Sequence, residues 1–117
     1  MPYTWRDCPR VEGNVQFLIE AMDNDDADAL REELRAEHEA YQATQKDLYI
    51  TRGPLLSDDG ERQIGSLNLI DVPDLAAAKA FWNGEPFVTG GLFKSVNFYG
   101  WRFGRVMDRY KVDPNIP

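Results

Sequence analysis

The centre of the chain, residues 48–72, reads LYITRGPLLSDDGERQIGSLNLIDV. Two apolar runs rich in strand formers flank the polar turn Ser57-Asp58-Asp59-Gly60, and this pattern predicts a β-hairpin. The first strand begins near Leu48 and continues past Gly53-Pro54, and the second returns antiparallel over about 63–72. The segments on either side of this hairpin must supply the remaining strands and helices.

The segment before the hairpin predicts a strand followed by one long helix. Residues 15–22, VQFLIEAM, are apolar and rich in strand formers. The acidic run 23–28 suits a helix start, because short acidic side chains accept hydrogen bonds from free amides and oppose the positive end of the dipole. The predicted helix runs from about Asp25 to Lys46. Its inward face consists of residues at three- and four-residue steps: Ala27, Leu30, Leu34, His38 and Tyr41.

The segment after the hairpin predicts a second helix and a last strand. Pro73-Asp74 opens the helix, and Gly84 is placed to stop it. A short irregular or helical piece, 85–93, leads to a strand from Val96 to about Val106. The order is therefore βαββαβ, with both helices on one face of a four-stranded antiparallel sheet. This order predicts an α+β fold of the ferredoxin-like kind.

The last strand carries bulky side chains on both sides, with Phe98 on one side and Tyr99, Trp101 and Phe103 on the other. A half-solvated strand would instead alternate apolar with polar residues. A bare aromatic face would exceed the ~300–600 Å² patch that monomers tolerate. We therefore expect two copies of the chain to form a homodimer through this face of the sheet. The alternative is that the flanking arms fold over it.

Length and charge limit the domain organisation and the partners. The 117 residues suffice for one domain, predicted at 14–106 between an irregular N-terminal arm, 1–13, and a C-terminal arm, 107–117. The formal charge of −7 would repel nucleic acids and anionic membranes, so neither is expected as a partner. The sequence contains no signal-peptide core and no membrane-spanning run, which favours a cytoplasmic location.

The sequence predicts no resident metal or cofactor. One cysteine, Cys8, and one histidine are too few for a zinc site of the usual kind. A calcium loop needs glycine at its sixth position and glutamate at its twelfth, but counting from Asp23 these positions hold Asp28 and Leu34. The glycine motifs that bind nucleotide phosphates are also absent from the sequence.

The only histidine, His38, shares one side of the first helix with Arg35 and Tyr41. A histidine that borders a cavity can exchange a proton near neutral pH, provided a carboxylate sets its tautomer. The structural alternatives are a hydrogen-bonded core histidine and a surface ion pair of Arg35 with Glu32 or Glu39. The residues alone leave these alternatives open.

Four stretches, in order along the chain, resemble the motifs of one family. Residues 35–41, RAEHEAY, are similar to the R-x-x-H-x-x-Y helix signature of YciI-like (YCII-related) proteins, and residues 53–60, GPLLSDDG, resemble their G-P-L-L turn. Residues 65–66, GS, match the G-S of the third strand. Residues 85–93, EPFVTGGLF, resemble the D-P-[FY]-x-x-A-G-L-F segment, with Glu85 in place of aspartate and Gly90 in place of alanine.

This resemblance, over about 15–103, implies a dimeric α/β barrel of ferredoxin-like protomers. It implies a pocket between the first helix and the loop before the last strand, with a catalytic pair of His38 and Glu85. In a cofactor-free enzyme of this kind, we expect Arg35 and Tyr41 to meet an anionic or phenolic substrate, and Ser66 is a further substrate-binding candidate. The implied activity is that of an acid–base lyase or isomerase acting on a small oxygenated ring. The alternative is a non-catalytic module that binds a small ligand or another protein.

Overall fold

A computed structural model of the protein describes residues 2–9, 13–105 and 107–110. The sheet is antiparallel and consists of β1 (Val15–Asp23), β2 (Tyr49–Leu56), β3 (Gln63–Val72) and β4 (Phe93–Trp101). The helices are α1 (Ala27–Glu33), α2 (Arg35–Thr44), α3 (Leu75–Asn83) and α4 (Pro86–Thr89), with short 3-10 helices at Trp5–Asp7, Lys46–Leu48 and Asp108–Tyr110. The strand order β2-β3-β1-β4 confirms the predicted α+β, ferredoxin-like fold.

The last strand differs most from its predicted bounds. It begins at Phe93 rather than Val96 and ends at Trp101, while Val106 lies outside the described residues. In the described part of the chain, β4 is an edge strand, and its bounds follow its ladder with β1. That ladder runs from Asp23 opposite Phe93 to Gln16 opposite Trp101. The division into a central domain and two arms stays a prediction.

The predicted long helix is divided at Leu34, which has φ −94° and ψ 2° and joins α1 to α2. Leu34 belongs to a small apolar cluster around Phe87 and Leu92, whereas Tyr41 of α2 packs on the main core. The bend lets each half contact its own cluster. It also brings a methyl group of Leu34 close to the position that a Cβ atom on Gly90 would occupy. Neither half, nor any other helix in the described part of the chain, is long and apolar enough to cross a membrane.

The acidic run does not cap α1 as predicted. Asp26 occupies the N-cap position with φ 59° and makes no side-chain cap hydrogen bond. A capping residue normally has extended backbone angles, and the left-handed turn removes that geometry. Asp23, at the end of β1, points inward and accepts a hydrogen bond from Arg31 Nη2 at 2.8 Å. The run therefore supplies a buried ion pair rather than a cap.

The core lies between the sheet and the helices. Ile19 of β1 and Ile70 of β3 are fully buried and pack with Phe81 and Trp82 of α3. These apolar contacts hold α3 on the sheet. The helix layer thereby covers one face of the sheet, as the element order predicted.

The opposite face of the sheet, which we call the open face, is not covered by α1–α4, although Gln16 and Leu69 on this face are buried. Phe98 packs on the core, whereas Tyr99 and Trp101 point to the open face and are 51% and 39% exposed, so the predicted two-sided pattern of this strand is confirmed. Phe103 lies beyond the strand and packs edge-on against Trp101. The described N-terminal arm contacts the end of β4, where Arg102 Nη1 donates to a backbone carbonyl at 3.0 Å, but it leaves Tyr99 half exposed. The open face thus has aromatic rings available for a partner.

Candidate functional site

A cavity of ≈ 370 Å³ lies between the helices and the β2–β3 half of the sheet. We call its two sides the helix wall, with Arg31, Arg35 and His38, and the sheet wall, with Tyr49, Arg52, Ser66 and Asn68. Polar residues that include Glu39 and Glu85 contribute to the lining, together with four further aromatic rings: Phe81, Trp82, Phe87 and Phe93. Cavities of this size accept a small ligand.

The two predicted acid–base residues meet at this cavity. His38 Nδ1 and Glu85 Oε1 are 2.7 Å apart, and Glu85 is only 4% exposed. Glu85 is the N-cap of α4, where Oε1 also accepts from the Phe87 amide at 3.1 Å. A residue that leads into a proline-started helix suits this capping role, because its side chain reaches an otherwise free amide. The carboxylate is therefore held by the backbone as well as by the histidine.

The imidazole is held on a second side by an aromatic ring. His38 stacks on Phe87 with ring centroids 3.8 Å apart and an interplanar angle of 11°. An ionised carboxylate can only accept, so Nδ1 carries the proton shared with Glu85. Nε2 makes no hydrogen bond to any described residue and is the nitrogen available to a ligand. This arrangement permits proton transfer at Nε2, with the ring plane fixed in advance.

Arg35 lies on the helix wall with its guanidinium already paired. Nε and Nη2 donate to Glu32 Oε2 at 3.1 and 2.7 Å, and both side chains are largely exposed. The Arg35 guanidinium lowers the pKa of Glu32 through this contact. The structural alternative for Arg35, a surface ion pair with Glu32, is thus the arrangement observed.

Tyr41 does not reach the ligand space as predicted. Its hydroxyl donates to the Phe81 carbonyl at 2.7 Å, and it is absent from the cavity lining in the described part of the chain. Burial raises the pKa of Tyr41, and the charge of Glu85 raises it further. Tyr41 packs α2 on α3 because both carry aromatic residues at their contact. The Tyr41 hydroxyl thereby connects α2 to α3.

Ser66, which the sequence predicts to meet a substrate, lines the sheet wall, and Asn68 stands two residues further along the same strand face. Sequence reasoning missed Asn68 and its cross-strand neighbour Arg52 on β2. A signal was present, since polar residues at 66 and 68 interrupt the apolar pattern of a central strand. Such a strand, covered by helices, should bury apolar residues on that side.

Tyr49 and Arg52 form the rim of the sheet wall. The Arg52 guanidinium lies 4.7 Å from the centroid of the Tyr49 ring. Burial raises the pKa of Tyr49, and this effect outweighs the opposing effect of Arg52. The Tyr49 hydroxyl therefore stays protonated at neutral pH and can donate a hydrogen bond.

Arg31, on the helix wall, has a buried ion pair of its own. Its side chain is 12% exposed and pairs with the 6% exposed Asp23 at 2.8 Å. The guanidinium also lies 5.8 Å from the Phe87 ring centroid. Arg31 Nη1 is buried without a hydrogen-bond partner among the described residues, and exposed Asp28 approaches it only at 3.8 Å. This pair links the end of β1 to the ring on which His38 stacks.

Comparison with solved structures shows one informative similarity. The chain is similar to 5-chloro-2-hydroxyhydroquinone dehydrochlorinase (TftG) from Burkholderia phenoliruptrix AC1100, solved as a complex with 2,5-dihydroxybenzoquinone. The identity is 26%, the TM-score is 0.69, and the match covers 76% of this chain and 95% of that one. PA3566 from Pseudomonas aeruginosa matches with 16% identity and a TM-score of 0.46, covering 85% of this chain and 100% of that one. No curated protein matches the chain.

The family model of the YCII-related domain matches residues 15–102. The matched range contains all four strands and the cavity between the helices and the sheet. It also contains the four motifs of the sequence comparison. The chain therefore belongs to the YCII-related domain family.

Proposed function

We propose that the protein is a cofactor-free acid–base catalyst, a lyase or isomerase that acts on a small oxygenated ring. The observation that carries this proposal is the 2.7 Å contact of His38 with a buried carboxylate at the edge of a ligand-sized cavity. His38 Nε2 takes up or delivers the substrate proton. Glu85 keeps Nδ1 protonated and stabilises the imidazolium that forms.

The lining favours a flat ligand. Phe81, Trp82, Phe87 and Phe93 offer ring faces and edges, which pack well against an aromatic or quinonoid ring. Ser66 and Asn68 add polar groups on the sheet wall. A flat ring in this space would place an oxygen or a ring carbon within reach of His38.

The similarity to TftG supports the same reaction class. Dehydrochlorination removes one proton and one chloride from the substrate, so it requires proton transfer but no oxidant. A histidine–carboxylate pair can perform such a transfer without a cofactor. The bound quinone of TftG is also a single oxygenated ring.

The test is an assay of purified protein with 5-chloro-2-hydroxyhydroquinone under anaerobic conditions. We expect chloride release above the protein-free rate, measured by ion chromatography. Parallel incubations of other hydroxylated rings and ring lactones in D₂O should reveal exchange of substrate C–H for C–D by NMR. Saturable binding of these compounds with neither chloride release nor exchange would contradict the proposal and favour the non-catalytic module.

The proposed assembly is a homodimer through the open sheet face. Tyr99 and Trp101 are exposed there, and half-buried Leu18 and Leu67 lie beside them on the same face. Covering these side chains with the same face of a second copy would remove apolar surface from water.

The double variant Tyr99→Lys/Trp101→Glu is expected to be monomeric in light scattering coupled to size exclusion, because it places charges in the proposed interface. Leu75→Glu is the matched control, since Leu75 is 41% exposed on the helix layer, away from this face. This control should leave the dimer intact. A monomeric wild-type protein at tens of micromolar would overturn the assembly.

A further inference from the structure

We propose that Arg52 and Asn68 form a subsite on the sheet wall for an anionic oxygen of the ligand, such as a phenolate, enolate or carboxylate on the ring. This inference rests on the proposed function only in calling the ligand a substrate. The binding site itself follows from the contacts of the two side chains.

The position of Asn68 is the first observation behind this proposal. It lies on central strand β3, is 9% exposed and lines the cavity. Its amide makes no side-chain hydrogen bond with any described residue. The amide is not among the fully buried, unpartnered groups of the described residues, so it is accessible from the cavity, where its donor and acceptor can bind a ligand group.

Arg52 is the second observation. It stands opposite Asn68 in the β2–β3 ladder and lines the same cavity. No carboxylate lies within ion-pair distance of Arg52 among the described residues, whereas Arg31 and Arg35 are paired with Asp23 and Glu32. Of the three arginines that line the cavity, Arg52 is therefore the one whose charge can pair with an anionic ligand.

The rim of the sheet wall holds this charge in place. The Tyr49 ring supports the Arg52 guanidinium, and the hydroxyl of this half-buried tyrosine is a further donor in the cavity lining. The formal charge of −7 disfavours anions at long range, so an anionic ligand needs a local cation. The sheet wall supplies that cation together with neutral donors.

The position of this subsite also orients the ligand. His38 lies on the helix wall and Arg52 on the sheet wall, on opposite sides of the same cavity. A ring whose anionic oxygen binds at Arg52 and Asn68 therefore turns another edge toward His38. The inferred substrate is an ionised ring compound in which the atom that exchanges a proton lies away from the anionic oxygen.

The experiment is calorimetric titration of the intact protein with 2,5-dihydroxybenzoquinone, whose hydroxyls ionise at neutral pH, and with its neutral dimethyl ether. Arg52→Gln should weaken binding of the anion about tenfold or more, since hydrogen bonds to charged groups contribute at this level. The isosteric Asn68→Asp should weaken it at least as much, because it adds a negative charge beside the ligand. Binding of the neutral ether should change by less than about threefold in either variant.

Arg62→Gln is the matched control, since it makes the same charge change in the β2–β3 turn outside this cavity. It should bind the anion like the wild-type protein, and thermal melts should show that all variants are folded. His38→Ala should still bind the anion, so loss of catalysis and loss of the subsite can be told apart.

Three results would overturn the subsite. The first is unchanged affinity of Arg52→Gln for the anion. The second is a wild-type protein that does not bind the anion at millimolar concentration. The third is weaker binding of the anion by Arg35→Gln together with unchanged binding by Arg52→Gln, which would place the anion at the helix wall.

Discussion

Replacing His38 with alanine is expected to lower kcat for the proton-transfer reaction by about 10²–10⁴, the range typical of a positioned general acid or base. The physical reason is that Nε2 is the unpartnered nitrogen of an imidazole fixed by Glu85 and Phe87. Chloride release and C–H exchange measure the effect. The variant should keep its fold, because His38 is only partly buried.

Glu85→Gln should lower kcat by a similar factor, for a related reason. The amide keeps the shape of the carboxylate and can still accept from Phe87, but it lacks the charge that stabilises an imidazolium. Because the two residues act as one unit, the double variant should be no slower than the slower single variant. If the kcat losses of the two single variants multiplied in the double variant, His38 and Glu85 would not act as one unit.

Glu37→Gln provides the control for these measurements. Glu37 is an exposed carboxylate next to His38 in sequence, but it is absent from the cavity lining in the described part of the chain. It should keep wild-type kcat. Full activity of His38→Ala on a substrate that the wild-type protein converts would show that the imidazole has no catalytic role.

Asp23→Ala is expected to lower the free energy of unfolding by about 3–5 kcal/mol, because it leaves the buried Arg31 cation without its partner. The two side chains are 6% and 12% exposed and 2.8 Å apart, so the remaining cation would lie without its carboxylate in a largely desolvated position. Urea denaturation followed by circular dichroism measures the change. Arg31→Met in the Asp23→Ala background should recover part of the loss, since it removes the isolated charge.

Asp28→Ala is the matched control for this prediction. Asp28 approaches the same guanidinium at 3.8 Å, but its side chain is 93% exposed. Exposed ion pairs contribute at most about 1 kcal/mol, so this variant should be nearly as stable as the wild-type protein. If Asp23→Ala and Asp28→Ala lowered the free energy of unfolding equally, the contribution of the ion pair to stability would not depend on its burial.

Local patterns in the sequence predicted most of the fold. The strand over 63–72 and the helix between Asp74 and Gly84 follow from apolar periodicity and from residues that start or stop elements. The helix break at Leu34 was not predictable in this way. It arises because α1 and α2 pack on different apolar clusters, and no local residue pattern records which cluster a helix contacts.

The candidate site was predictable in part and by a different route. The motif resemblance paired His38 with Glu85, residues far apart in sequence, and the structure brings them into contact. It also assigned Tyr41 to the ligand, although the Tyr41 hydroxyl is taken by a backbone carbonyl of α3. Whether a side chain on an inward helix face lines a cavity or fills the core depends on the neighbouring helix.

The sequence by itself determined the element order, the inward face of the first helix and the two-sided apolar last strand. These features depend on local propensity and on the periods of helix and strand. The tertiary structure alone decided that Arg52 and Asn68 are neighbours that line the cavity. The reason is that strand register sets which residues become neighbours across the sheet, and register emerges only when the strands pair.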